Sequence, residues 1–261
     1  MLADPGRTPY DLRFRVLGFP VRVHPLFWLF TVLFNGDQLL RPPFGVEFLL
    51  AWVAVVFVSI LVHELGHALL FRRYGAGSYV VLYAFGGLAI PTRPISGRGR
   101  RIMVALAGPG AGFVLCGLVY GSNLALGWGE IQNGLLVRFV YHQLVFVNLS
   151  WGLLNLLPVY PLDGGQVSRE LCGMRLGGRG LRASLKISFG TALAAVAYSL
   201  FFALDMSEMG ADLTRHLPYW VPRGTVYTAI LFGLLAYTSY QMLQQSGRYD
   251  SYADDRVPWE R

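Results

Sequence analysis

The stretch 46–71, VEFLLAWVAVVFVSILVHELGHALLF, decides most of what this chain can fold into. It is long enough to cross a bilayer, for which about 17–25 apolar residues suffice. In hydrocarbon a backbone must satisfy its own hydrogen bonds, so a segment of this kind is a helix. Comparable runs lie at 102–124, 135–157, 185–204 and 225–243, and a weaker one at 25–40 is interrupted by Asn35-Gly36-Asp37. Composition agrees: 54% of the residues are hydrophobic and 14% are charged, where a soluble domain carries roughly 25% charged residues. The expected fold is an all-α polytopic membrane protein, a six-helix transmembrane bundle.

The formal net charge of +7 speaks of sidedness rather than of nucleic acid. With six spans, 18 of the 22 Lys and Arg residues fall on one side, in the N-terminus, the loop 72–101, the segment up to 186 and the tail. The other side keeps Arg41, Arg138, Arg215 and Arg223. Positive residues stay cytoplasmic, which puts both termini inside and makes the lipid bilayer, through its anionic lipids, the partner of the basic residues. Without the weak first span the N-terminal arginines would lie outside. Residues 1–22 hold Arg7, Arg13, Arg15 and Arg22 and no apolar core ahead of a small-residue cleavage site, so no cleavable signal peptide is expected. Cys116 and Cys172 give neither a disulfide framework nor zinc spacing and read as packing residues.

One integral domain is expected over residues 1–245, with a polar cytoplasmic tail at 246–261. Between the second and third spans, SYVVLYAFGGLAI (78–90) is rich in β-branched and aromatic residues and broken by Gly86-Gly87, the pattern of a short hairpin. It is too short to cross and too apolar for open water, so it should dip into the cytoplasmic leaflet against protein or a wet cavity. An exposed hairpin edge there would let an unwound peptide add as a further strand. Residues 158–184, with Pro158, Pro161 and several glycines, read as loop.

Inside the stretch 46–71 sits His63-Glu64-Leu65-Gly66-His67. Residues four apart project from nearly one helix face, so the two imidazoles can share one zinc ion, and Glu64 beside them can take a proton from an attacking water. Ionisable groups within a span are costly and mark function. Catalytic zinc takes three protein ligands and keeps one position open. Candidates for the third are His24, His142, His216, Asp163, Glu170 and the acids of the tail. Asp163 has the favoured context: in NLLPVYPLDGG (155–165), Pro158 and Pro161 end a helix and Gly164-Gly165 permits a tight turn. His67 lies five residues before Arg72, or about 7.5 Å along a helix, so the metal should sit close to the face from which Asp163 emerges.

HELGH followed at a distance by Asn155, Pro158, Pro161, Asp163, Gly164 and Gly165 resembles the site-2 protease family of intramembrane metalloproteases. The resemblance extends to VRVHPLF (21–27), FGGLA (85–89) and ALAGPGAG (105–112), and covers about residues 15–245. It implies that His63, His67 and Asp163 ligate one zinc ion and that Glu64 is the general base. It further implies that Asn155 hydrogen-bonds the scissile carbonyl or steadies the substrate backbone. The implied activity is hydrolysis of a peptide bond within or near the transmembrane helix of a single-span membrane protein, in a cell membrane. Many relatives add a PDZ or CBS domain; this chain has room for neither and looks like the compact members. A metal transporter and an inactive protease-like scaffold are the competing classes: indifference to loss of Glu64 would favour the transporter, and an activity assay decides against or for the scaffold. A soluble protease on an anchor is excluded, because the motif lies within a span.

Other features have plainer readings. Asn148, one heptad before Asn155, reads as an interhelical hydrogen bond, as does His142. Gly108, Gly110 and Gly112 around Pro109 read as close helix packing, and His24-Pro25 as the start of the first span.

Overall fold

Leu12, Phe14 and Val16 alternate with Arg13 and Arg15, which is the period of a half-buried strand. In the computed structural model they form β1 (Leu12–Val16). Leu17 and Gly18 follow with φ of 51° and 85°. Two successive positive φ values match the twist of a two-residue hairpin turn, and β2 (Phe19–Val23) returns antiparallel, Phe14 opposite Val21. The described backbone covers residues 6–42, 44–84, 86–130, 134–204 and 224–254, and the described side chains omit 35–38 and 247–254 as well. The chain divides into two compact units, Met1–Asn155 and Leu156–Arg261.

In the first unit β2 leads into α1 (Pro25–Leu39) and α2 (Val46–Arg73). The expected hairpin follows as β3 (Ser78–Tyr83) and β4 (Gly86–Pro91), paired antiparallel. It does not stand alone. β3 pairs parallel with β2, Val21 beside Val80, giving one four-stranded sheet in the order β1-β2-β3-β4. The chain is mostly helical as expected, and the expected hairpin is half of a larger sheet: the arginines of 12–23 signal sidedness and also alternate onto one face of a strand. The other face of the sheet carries Val21, Val23, Val80 and Leu82, all buried against Ile60, Leu61, Leu65 and Ala68 of α2. The sheet thus covers the half of α2 that bears the HELGH motif.

Two helices complete this unit, α3 (Arg98–Leu126) and α4 (Leu135–Asn155). α2 and α3 cross at Gly66, where a Cβ would stand 2.8 Å from Ala111 Cβ and closer to the Ala107 carbonyl. In the second unit α5 (Asp163–Leu176) and a 3-10 turn (Gly177–Arg179) lead into α6 (Gly180–Ala203), which packs on α7 (Val226–Asp254). One difference from expectation stands here: the segment 158–184 is helical from Asp163 onward. Residues 255–261 lie outside the described residues.

Among the described residues four helical stretches are long and apolar enough to cross a membrane: Val46–Arg73, Arg98–Leu126, Asp163–Ala203 and Val226–Ser246. They make this a multi-pass membrane protein. The remaining two expected spans are α1, apolar but only 15 residues long, and α4, whose 21 residues include Arg138, His142, Gln143 and Asn148.

Candidate metal centre

His63, Glu64 and His67 are 3%, 4% and 7% exposed, so three ionisable side chains are buried on one apolar helix. The His63 and His67 Nε2 atoms lie 3.3 Å apart. The His67 Nδ1 lies 2.7 Å from the Val104 carbonyl oxygen on α3. A carbonyl only accepts, so Nδ1 carries the proton and Nε2 keeps its lone pair. That is the usual arrangement of a metal-binding imidazole, with one nitrogen anchored and the other free to coordinate.

The spacing tests whether these residues suit zinc. Two zinc–nitrogen bonds of about 2.05 Å at the tetrahedral angle put their nitrogens about 3.3 Å apart. The pair has that separation. Space in front of the rings depends on Gly108 of α3: a Cβ there would come within 2.7 Å of His63 Nε2 and closer still to His67 Nε2. The His63–His67 pair therefore has the spacing of two zinc ligands, and Gly108 leaves the rings room. Asp163, which belongs to the second unit, is also buried, at 6% exposure.

Glu64 has a similar dependence on glycine. At Gly87 on β4 a Cβ would stand 2.6 Å from Glu64 Oε1 and 2.7 Å from its Cδ. The strand can pass the carboxylate only because it carries no side chain at that point. Gly108 and Gly87 are the residues here least legible in sequence, since what they contribute is space, and the packing expected of Gly108 is packing against two imidazoles. Gly110, two residues on, meets nothing within 4 Å, so the packing reading does not extend along the whole glycine run.

Asn155 ends α4, half-buried, with its Nδ2 donating to the Trp151 carbonyl at 2.9 Å. One heptad earlier Asn148 is 2% exposed and donates to Ser59 Oγ at 2.9 Å and to the Leu144 carbonyl at 2.8 Å. That is the interhelical bond expected of it, made to the residue one turn before His63.

Asp163 is fixed within the second unit by the turn that precedes it. The Tyr160 amide donates to Ser188 Oγ at 2.8 Å, and Ser188 in turn bonds Ser239 of α7 at 2.7 Å. Gly164 and Gly165 lie in the first turn of α5, where a Cβ would come within 2.5 Å of the Leu157 carbonyl and of the Tyr160 amide nitrogen respectively. Proline stops the preceding helix, and glycine lets the next begin almost in contact with that stop. This is why a helix starts at Asp163 in a segment whose composition suggests loop.

The other ligand candidates have separate surroundings. His24 caps the start of α1, its Nδ1 accepting from the Leu26 amide at 3.1 Å, with its ring edge-on to Tyr83. His142 is exposed on α4 beside Tyr141. His216 and the acids after Asp254 lie outside the described residues, and Glu170 is half-buried on α5.

Comparison with known proteins bears on this arrangement. Residues 129–197 match the family model described as peptidase family M50. A zinc metalloprotease of Methanocaldococcus jannaschii is 30% identical over 174 residues, which are 64% of this chain and 47% of the relative. A protein of Mycobacterium tuberculosis named as a zinc metalloprotease is 33% identical over 208 residues, 76% of this chain and 51% of its own. The chain thus spans about half the length of the curated relatives it matches. The solved structure of a site-2 protease from Methanocaldococcus jannaschii shares the fold, with a TM-score of 0.55 at 23% identity over 90% of this chain and 95% of that one.

Proposed function

We propose that this chain, related to the site-2 proteases of peptidase family M50, is an intramembrane zinc metalloprotease that hydrolyses a peptide bond within or near a transmembrane helix of a single-span membrane protein. The observation that carries the proposal is the His63–His67 pair, buried on a membrane-length helix at the spacing of two tetrahedral ligands. Asp163 is the third ligand in this reading. Zinc, when bound, lowers the pKa of a water and polarises the scissile carbonyl. Glu64, held against Gly87, takes the proton from the attacking water and returns it to the leaving amine, the two roles of one general acid–base. Asn155, at the end of α4, donates a hydrogen bond to the carbonyl oxygen as negative charge builds there.

Such a site needs water and an unwound substrate, which suits a position near a membrane face. Arg72 and Arg73 end α2 only a turn or so beyond His67. We place both termini on the cytoplasmic side of a cell membrane. The parallel β2–β3 pair supports one part of this, that the N-terminal hairpin and β3–β4 share a side, since α1 and α2 must between them return the chain to the side it left. α2 is long enough to cross, so α1 with its flanks crosses too. Its 15 residues reach about 22 Å, short of the roughly 30 Å hydrocarbon core, which requires local thinning.

The test is Glu64→Gln. It is expected to keep zinc and lose cleavage of a model helical substrate by at least about 100-fold, the usual weight of a general base. Single-span fragments should accumulate in membranes of a strain carrying it. Cleavage at the wild-type rate would refute the assignment.

A further inference from the structure

Beside β1, β2 and β3 lies a cavity of about 600 Å³ lined by Arg7, Arg13, Arg15, Arg22 and Tyr79, with no acid among its described lining residues. The register explains the crowding. Arg13 pairs across the hairpin with Arg22, and Arg15 with Pro20, so three arginines share one face of the sheet. Val21 pairs with Val80 in β3, which brings Tyr79, one step back, to that same face. Like charges directly opposite one another destabilise a strand pair. Asp11 offsets part of this, 3.1 Å from Arg22 and 3.6 Å from Arg13. Arg22 is only 9% exposed and also donates to the Gly6 carbonyl. Of the four arginines that line the cavity, Arg13 and Arg22 stand against the Asp11 carboxylate.

We propose that this cavity binds a phosphoryl oxyanion, supplied by the headgroup of an anionic phospholipid. Guanidinium forks match phosphate geometry, and a cavity of this size lies within the range of small-ligand sites. Position indicates the source. Arg72, at the end of the membrane-length α2, donates to the Leu17 carbonyl in the β1–β2 turn at 2.9 Å and stacks over the Phe19 ring at 4.6 Å. The hairpin is thereby tied to a helix end, where headgroups lie. The site is separate from the metal centre and does not rest on the proposed protease activity.

The full chain, purified in neutral detergent, is titrated with dihexanoyl-phosphatidylglycerol, dihexanoyl-phosphatidylcholine and inorganic phosphate, with binding read by native mass spectrometry and calorimetry. Phosphatidylglycerol should bind more tightly than phosphatidylcholine. Each arginine near a membrane surface is worth about fivefold in affinity, so Arg13→Gln with Arg15→Gln should weaken phosphatidylglycerol by about 25-fold. Arg138→Gln, an equal charge loss on α4, should leave it unchanged. Inorganic phosphate binding that the double variant abolishes, without lipid selectivity, would keep the phosphoryl site and make its source soluble. If the double variant does not fold, Arg15→Gln alone carries the test on an exposed side chain, with fivefold weakening expected. Unchanged binding in the variants, or equal weakening by Arg138→Gln, overturns the proposal.

Discussion

Gly108→Ala adds one methyl group at the mouth of the two imidazoles. Its φ is not in the left-handed region, so the helix itself accepts alanine, and in an isolated helix would gain up to about 1 kcal/mol. The methyl would come within 2.7 Å of His63 Nε2 and closer to His67 Nε2, while comfortable contacts lie near 3.5 Å. Either α3 retreats by about 0.8 Å or more, or the rings turn away. Retreat separates the Val104 carbonyl from His67 Nδ1, now 2.7 Å apart; turning spoils the 3.3 Å spacing of the two nitrogens. Overpacking costs about 1–3 kcal/mol, partly offset by the helix gain of up to about 1 kcal/mol, and the net cost of at most about 2 kcal/mol is small against a stability of about 5–15 kcal/mol, so folding should survive. Disturbing the partners that orient a metal ligand typically costs 10–100-fold in affinity. Zinc competition against a fluorescent chelator, with circular dichroism as the folding check, should therefore show a 10–100-fold loss without unfolding. Gly110→Ala is the control, since a Cβ there meets nothing within 4 Å. If Gly108→Ala bound zinc within twofold of wild type while Gly110→Ala did the same, the cradle assigned to Gly108 would be wrong.

Gly87→Ala should act on the base instead of the metal: its Cβ would stand 2.6 Å from Glu64 Oε1, so cleavage should fall at least about tenfold at unchanged zinc content; loss of both together would contradict the division of roles. Asp163→Ala should lower zinc affinity at least about tenfold, checked by metal content after dialysis, and full stoichiometry at limiting zinc would remove it from the ligand set. The Asp11 carboxyl is held well below the usual carboxylate range, first by the Thr8 hydroxyl at 2.7 Å, then by the Thr8 amide and Arg22, against the opposing effect of burial. A depressed carboxylate contributes stability that is complete above its unfolded pKa of about 3.9 and is lost as pH falls toward the folded value. The melting-temperature gap between wild type and Asp11→Asn should accordingly be largest near pH 6 and narrow below about pH 4; a gap independent of pH would argue against the Asp11 cluster.

The parts of the fold most legible in sequence were those set by a strong single signal. Spacing of four placed His63 and His67 on one helix face, and the apolar run made that helix membrane-length. The hairpin at 78–90 is visible in its β-branched residues and paired glycines. The partner hairpin at 12–23 was equally regular, but its alternate positions are arginines, which mean sidedness and strand face at the same time. α5 was hidden for a different reason. Glycine and proline lower helix propensity, yet Gly164 and Gly165 serve a contact with the preceding turn that exists only once the chain has folded. Gly108 and Gly87 share that property: a residue chosen for the space it leaves shows its purpose only when its neighbour across the gap is known.

The parallel seam between β2 and β3 also sets an order of assembly. During synthesis β1 and β2 emerge early and close on each other, but β2's second neighbour is made more than fifty residues later, after both intervening helices. Until then one edge of the nascent hairpin has no strand beside it, and open edges invite pairing with other chains. Pro20, lacking an amide hydrogen, stands immediately before Val21, where the seam begins. With Arg13, Arg15 and Arg22 it makes the waiting ribbon a poor template for strangers, so the same basic residues that crowd the finished sheet protect the newborn one.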